Sequence, residues 1–372
     1  MEDSISFSRL IVSLSAIQKN TAGIISHLPC GAKLIPVLKA DAYGLGLVPV
    51  AKALCSSDRI AGFAVAYIEE GLQLRNSGVS LPIFILGPAL PFQYKPAILS
   101  DLTLTVGSLS DLSLMSRAAE ALGKKVSVQI KFDTGLHRFG ISPDEINPLI
   151  SALNSCSPFC SLKGTFSHFA DPFDADRCKA QFQSYMALSD ALESHGFSIP
   201  LRHICDSAAS ELYPEYALDA IRVGRGLMWD NPVRPNGNIL EAATLQTVVT
   251  GIWHRKAGEK IGYGDGLTLL KDTRIASIGI GYGDGIDLNA VRQHLPVLLH
   301  GQTCSLLYSF MDHTLVDIGD LPCTPGDLIT FFGYDESGIF LSAQKQAAAC
   351  GANEACAFTT ALLPRVKRVY TF

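Results

Sequence analysis

The chain has 372 residues and a formal net charge of −5, with 48% hydrophobic and 17% charged residues. That balance excludes a disordered chain, and the mild acidity gives no electrostatic footprint for nucleic acid or an anionic membrane. The length suggests two domains, since it exceeds the roughly 250 residues of a minimal (β/α)8 barrel by about 120.

The N-terminus reads MEDSISFSRLIVSLSAIQKN. It starts acidic and has no basic run ahead of an apolar core, so no secretory signal is expected and the protein reads as cytoplasmic. The apolar stretch 79–94 holds Pro82, Pro88 and Pro91, which suits a buried strand and loop better than a membrane helix. Ten cysteines include no CxxC pair and no zinc-ligand spacing. They read as reduced thiols packed as small hydrophobes, with no metal implied.

From residue 30 to about 225, β-branched runs alternate with amphipathic stretches. Strands are expected at 34–39, 60–66, 81–87, 102–106, 126–132, 163–169, 201–205 and 220–223. Helices are expected between them, for instance at 68–76 and 180–195. Apolar strands alternating with helices imply a parallel sheet covered by helices, and eight such units imply an α/β (β/α)8 TIM barrel. An open doubly wound sheet is the competing arrangement. After about residue 235 the helical period fades, and strand-like pieces appear at 243–253, 274–280, 295–299, 315–318 and 328–332. The expected division is a barrel over 1–235 and a mostly-β C-terminal domain over 236–372, with the first dozen or so residues pairing with the β domain. GYGDG occurs at 262–266 and at 281–285, which turn chemistry between strands explains without a structural repeat.

Barrel enzymes place catalytic groups at the C-terminal ends of strands. Lys39 ends the first expected strand, Lys131 lies near the end of the fifth and His168 on the sixth. Asp206 and Ser207 follow the seventh, and Arg222 lies on the eighth. A lysine desolvated in a barrel mouth has a lowered pKa and attacks carbonyls. On spacing alone, a solvated surface lysine at a strand end is the better explanation of Lys39.

The segments VLKADAYGLG (37–46), KFDTGLHRFG (131–140), FSHFA (166–170), HICDSAAS (203–210) and RVG (222–224) resemble those of bacterial alanine racemases, fold-type III pyridoxal-phosphate enzymes. So do GYG (262–264), IGYGDG (280–285), MDHTLVDIG (311–319) and PRVKRVY (364–370), in the same order along nearly the whole chain. The resemblance implies a racemase that interconverts L- and D-alanine and supplies D-alanine for peptidoglycan. Lys39 would hold pyridoxal 5′-phosphate as a Schiff base and act as one catalytic base, with the cofactor as electron sink. Tyr263 would be the second base on the opposite face, paired with His168. Arg222 would donate to the pyridine nitrogen. An arginine neither gives up nor accepts a proton there, which favours racemisation over side reactions.

The same resemblance places Tyr43, Ser207 and the backbone at Gly224 around the cofactor phosphate, and His203 beside the pyridine ring. Arg138 would reach the substrate carboxylate, oriented by Lys131, which is carboxylated in some members. Met311 and Asp312 would face the substrate, and Tyr282 would line its entrance. In the family the β domain of one subunit completes the barrel site of another, so a homodimer acting on a small amino acid is implied, with Tyr263, Tyr282, Met311 and Asp312 working in trans.

Several positions depart from the family pattern. Leu45 replaces a histidine, Asp206 an asparagine, and Met228-Trp229 a Tyr-Gly pair. His313 stands for glutamine, Pro364 for a tyrosine of some members, and Lys367 for proline. Arg225 stands where a small or β-branched apolar residue is usual, and its charge is expected to offset Asp206. These changes leave both bases and Arg222 in place, so serine or another small amino acid is the alternative substrate. A non-catalytic PLP-binding homologue generally lacks the β domain. A fold-related decarboxylase uses an acidic group at the pyridine nitrogen, where this chain has Arg222.

Overall fold

The computed structural model describes residues 6–156, 158–229, 239–352 and 354–372. The boundary expected at 235/236 lies outside the described residues. The first strand, β1 (Ser8–Ser13), stays out of the barrel and joins the C-terminal sheet. Ser13 then caps the helix Leu14–His27, its side chain accepting the Ala16 N–H at 3.2 Å.

Eight short parallel strands follow: β2 (Lys33–Pro36), β3 (Phe63–Val65), β4 (Ile83–Ile85), β5 (Thr103–Val106), β6 (Val126–Lys131), β7 (Cys160–Phe166), β8 (Arg202–His203) and β9 (Ala220–Val223). β3 to β8 pair in sequence order and β2 pairs with β9. The bridge Val37–Ala64 joins β2 to β3. At the other seam the Arg222 N–H bonds the Cys205 carbonyl at 3.0 Å, so the ring closes as a barrel. All residues of β3, β4 and β5 are buried, as expected of strands with helices outside and a packed interior. The helix Ile68–Asn76 matches its expected bounds. The expected 180–195 helix is longer, Ala175–Ser194, because Asp174 caps it by accepting the Arg177 N–H at 3.0 Å.

The C-terminal domain comprises β10 (Ala243–Arg255), β11 (Lys260–Ile261), β12 (Leu267–Thr268), β13 (Thr273–Ile278), β14 (Pro296–Leu299), β15 (Gln302–Ser309), β16 (Thr314–Asp317), β17 (Leu328–Tyr334), β18 (Phe340–Leu341) and β19 (Lys367–Thr371). Pairings β10–β13–β16–β15–β14–β17–β10 close a six-stranded antiparallel ring. β1 pairs with both β10 and β19, tying the chain's first and last strands into this domain. One GYGDG forms the tip between β11 and β12, and the other forms the turn Tyr282–Asp284. All ten cysteines are free thiols. Among the described residues, no helix is long and apolar enough to cross a membrane.

Candidate active site

β2 continues through Leu38, whose N–H bonds the Ala64 carbonyl at 2.8 Å. The backbone then reverses hand. Lys39–Tyr43 forms a turn in which Ala40, Asp41, Ala42 and Tyr43 all have φ between 52° and 56°. This conformation costs L-residues roughly 1–2 kcal/mol each, so the surroundings must impose it. Asp41 Oδ1 accepts the Leu47 N–H at 2.7 Å, and Glu70 Oε1 accepts the Ala40 N–H at 2.6 Å. From the C-terminal domain, Thr359 Oγ1 donates to the Tyr43 carbonyl at 2.7 Å. Gly44, at φ 82°, lies so close that a Cβ there would sit 2.1 Å from the Thr359 carbonyl oxygen.

The turn opens onto a cavity of about 250 Å³ at the C-terminal end of the barrel. Lys39, Tyr43, Arg138, His168, Ser207, Arg222 and Gly224 all line it. Seven residues named from five separate motifs thus meet in one place. Lys39 is exposed at the mouth, beyond the packed strand, and not desolvated as the sequence argument expected. Its Nζ is 6.0 Å from the Tyr43 ring centre. Burial raises the Tyr43 pKa, with Cys356 and Glu354 adding to it, so the phenol stays a neutral hydrogen-bond donor.

Arg222 is buried and is held through both Nη atoms. Nη1 donates to His203 Nδ1 at 2.7 Å and to the His203 carbonyl at 3.0 Å. Nη2 donates to the Ser167 and Ile204 carbonyls at 2.7 and 2.9 Å, and to His168 Nδ1 at 3.1 Å. The Nε–H has no protein partner among the described residues, in a side chain that lines the cavity. Burial lowers the Arg222 pKa to about 10. It remains a cation and a donor at neutral pH. Burial, then the Arg222 charge, lowers the His168 pKa, which keeps this imidazole neutral. With Nδ1 accepting, the proton of His168 resides on Nε2.

Two expected site residues lie behind the cavity. His203 is wholly buried, stacked on Phe166 at 5.3 Å, and serves as an anchor for Arg222. Lys131 is buried, and its Nζ donates to the Phe139 carbonyl at 2.6 Å. Burial lowers its pKa to about 8.

Tyr263, Met311 and Asp312 line a different, more open surface of the C-terminal domain. Tyr263 is 76% exposed, and its ring meets Phe310 edge-on at 5.4 Å. Its N–H donates to the Tyr308 hydroxyl at 3.1 Å. Tyr282 is nearby in chain and structure, its N–H bonding the Phe310 carbonyl at 3.0 Å. Asp312 is held by Arg365, whose Nη1 is 2.8 Å from Oδ1. The same guanidinium bonds Asp284 at 2.7 Å. Arg365 is not among the expected site residues, although it lies in the PRVKRVY segment that carries the family resemblance.

The structure corrects one charge assignment. Arg225 does not offset Asp206. Its Nη1 pairs with Glu354 at 2.8 Å, and Glu354 had no sequence signal. Asp206 turns Oδ1 to the N–H groups of Ala208 and Ala209, at 3.1 and 2.9 Å. Its Oδ2 lies 3.9 Å from His168 Nε2.

The family model for the alanine racemase N-terminal domain matches residues 12–232, and that for the C-terminal domain matches 242–370. The chain belongs to the alanine racemase family. Alanine racemase 1 of Oceanobacillus iheyensis is 34% identical over 88% of this chain and 89% of its own length. Alanine racemase of Streptococcus pyogenes serotype M6 is 35% identical over 80% of each. The Clostridium difficile 630 alanine racemase structure superposes with a TM-score of 0.90 at 29% identity, covering 99% of this chain and 96% of that one. That of Bacillus anthracis with bound L-Ala-P gives 0.91 at 26%, covering 99% and 95%.

Alanine racemases are pyridoxal-phosphate enzymes, and the residues present in this family member fit that group. An exposed amine at Lys39 is available for attachment, and the Arg222 Nε–H is available to a ring nitrogen. The Tyr43 hydroxyl is kept neutral as a donor for a phosphate, and Ser207 lines the same cavity. Gly224 lets the Tyr43 hydroxyl approach this end of the cavity, since a Cβ there would stand 2.0 Å from it.

Proposed function

We propose that this protein is a cytoplasmic, pyridoxal-phosphate-dependent alanine racemase that interconverts L- and D-alanine as a homodimer. The observation that carries this reading is Arg222, a guanidinium that forms no salt bridge among the described residues and whose spare N–H borders the same cavity as Lys39. When bound, the cofactor supplies an electron sink conjugated with the amino acid's Cα. Every other task falls to the chain. Arg222 donates to the ring nitrogen without transferring a proton, which limits that sink and keeps the proton exchange local to Cα. Lys39 Nζ takes and returns the Cα proton on one face.

Tyr263 of a second subunit serves the other face. Its exposure and its separation from the barrel cavity support this assignment, because a base acting within its own chain would need to border Lys39. His168, with its proton on Nε2, would donate to that tyrosine oxygen and stabilise the phenolate. Arg138, at the cavity wall, receives the substrate carboxylate. Lys131 could take the carbamate form, its neutral amine adding CO₂ and releasing one proton to solvent, and its lowered pKa makes that amine abundant at mildly basic pH.

The test is incubation of the PLP-loaded protein with L-alanine and with D-alanine in D₂O, following optical rotation and Cα deuterium. The expected outcome is racemisation with deuterium incorporation from both isomers. Lys39→Ala should abolish it together with the visible absorbance of lysine-bound cofactor. Absence of exchange with alanine, but exchange with serine, would move the assignment to the alternative substrate.

A further inference from the structure

The cavity end occupied by Tyr43, Ser207 and Gly224 is built from both domains of one chain. Arg225 opens the turn Arg225–Leu227 directly after Gly224, and its side chain is only 16% exposed. Its partner Glu354 comes from the C-terminal domain and lines the same cavity. Thr359, also from that domain, holds the Tyr43 carbonyl. Asp206 stands at this end too, with one oxygen committed to the Ala208 and Ala209 N–H groups.

Here the charges are two carboxylates against one guanidinium. A phosphate monoester brings a further charge of about −1.5 to −2. Hydroxyl and backbone donors alone would have to hold it against Asp206 and Glu354. A guanidinium bonds a phosphate through a planar fork and is the strongest such partner a side chain can offer.

We propose that Arg225 is a phosphate-binding residue for the cofactor, paired before loading with Glu354 across the domain junction, so that phosphate and Glu354 draw on the same guanidinium. Before loading, Glu354 neutralises Arg225. On loading it competes with the phosphate for Arg225 and repels it. Cofactor affinity is therefore set partly by the C-terminal domain of the same chain. This rests on the pyridoxal-phosphate reading above.

The experiment titrates the apoprotein with pyridoxal phosphate and, separately, with pyridoxal, which lacks the phosphate. Binding is read by absorbance and by quenching of protein fluorescence. Arg225→Leu should weaken pyridoxal phosphate by about tenfold or more, and leave pyridoxal within about twofold. Glu354→Gln retains Arg225 and should tighten pyridoxal phosphate several-fold without moving pyridoxal. Equal losses of both ligands in Arg225→Leu, or no loss of either, would overturn the proposal. If Arg225→Leu does not fold, Glu354→Gln decides alone, and unchanged or weaker pyridoxal-phosphate binding overturns it. A wild-type protein that takes up neither ligand would instead overturn the cofactor reading.

Discussion

Arg222 Nη2 donates to His168 Nδ1 at 3.1 Å. One bond joins the residue assigned to the cofactor ring with the residue assigned to the second base. It sets the tautomer of His168, leaving the proton on Nε2, 3.9 Å from Asp206 Oδ2.

Replacing Arg222 by lysine tests that link. A lysine retains the charge but cannot reproduce a fork that makes five hydrogen bonds through two nitrogens. Exchange of the alanine Cα proton is expected to fall by about 100-fold or more, with cofactor still bound. A variant that binds cofactor normally and exchanges at the wild-type rate would remove Arg222 from the mechanism.

Acid should destabilise the fold through its buried imidazole. Burial and Arg222 push the His203 pKa well below 6.5, so the folded chain keeps this ring neutral while the unfolded chain protonates it. Below about pH 6.5 the unfolded state then binds the extra proton, and stability falls by about 1.4 kcal/mol per pH unit for this group. The contribution is fully present above that pH and is lost on acidification. Urea midpoints at pH 7, 6 and 5 measure the slope. His203→Asn should flatten it by about one proton, and an unchanged slope would refute the assignment.

The clasp on the left-handed turn can be tested by adding a single methyl group. Gly44→Ala would place a Cβ 2.1 Å from the Thr359 carbonyl oxygen at a φ of 82°. The expected cost is about 2–4 kcal/mol, summing positive-φ strain and overpacking. Chemical denaturation would show it, and a change below about 0.5 kcal/mol would mean that the domains shift apart freely at this point.

Completion of the site in trans predicts complementation. Lys39→Ala and Tyr263→Phe subunits, each inactive or nearly so, should regain activity when mixed, through hybrid dimers with one intact site. In random mixing about half of the dimers are hybrids, and each carries one wild-type site in two. Activity should therefore approach roughly a quarter of wild type. No recovery after demonstrated subunit exchange would place both bases in one chain.

Most of the barrel is legible in the sequence. The strands expected at 102–106 and 220–223 match β5 and β9 to within a residue, because buried parallel strands are short apolar runs with a clear boundary. β15 and β19 are not legible. β15 mixes exposed, half-buried and buried positions and β19 has no buried residue, and both mix polar and apolar side chains that give no unbroken run. Within the site, Lys39, His168 and Arg222 announce themselves as polar residues at strand ends. The left-handed geometry of 40–43 does not. Ala and Tyr disfavour it and one Asp only tolerates it, so the packing of Thr359 and the hydrogen bonds of Asp41 and Glu70 impose it on all four.

The sequence alone determined the class of chemistry, because the identity and order of its reactive residues carry the family signature. Partnership was decided only by the tertiary structure. Arg225 and Asp206 are neighbours in charge logic, yet Arg225 turns to Glu354 from the other domain and Asp206 turns to its own backbone. Local sequence cannot encode that choice, since a long flexible cation takes whichever carboxylate the domain packing brings within reach.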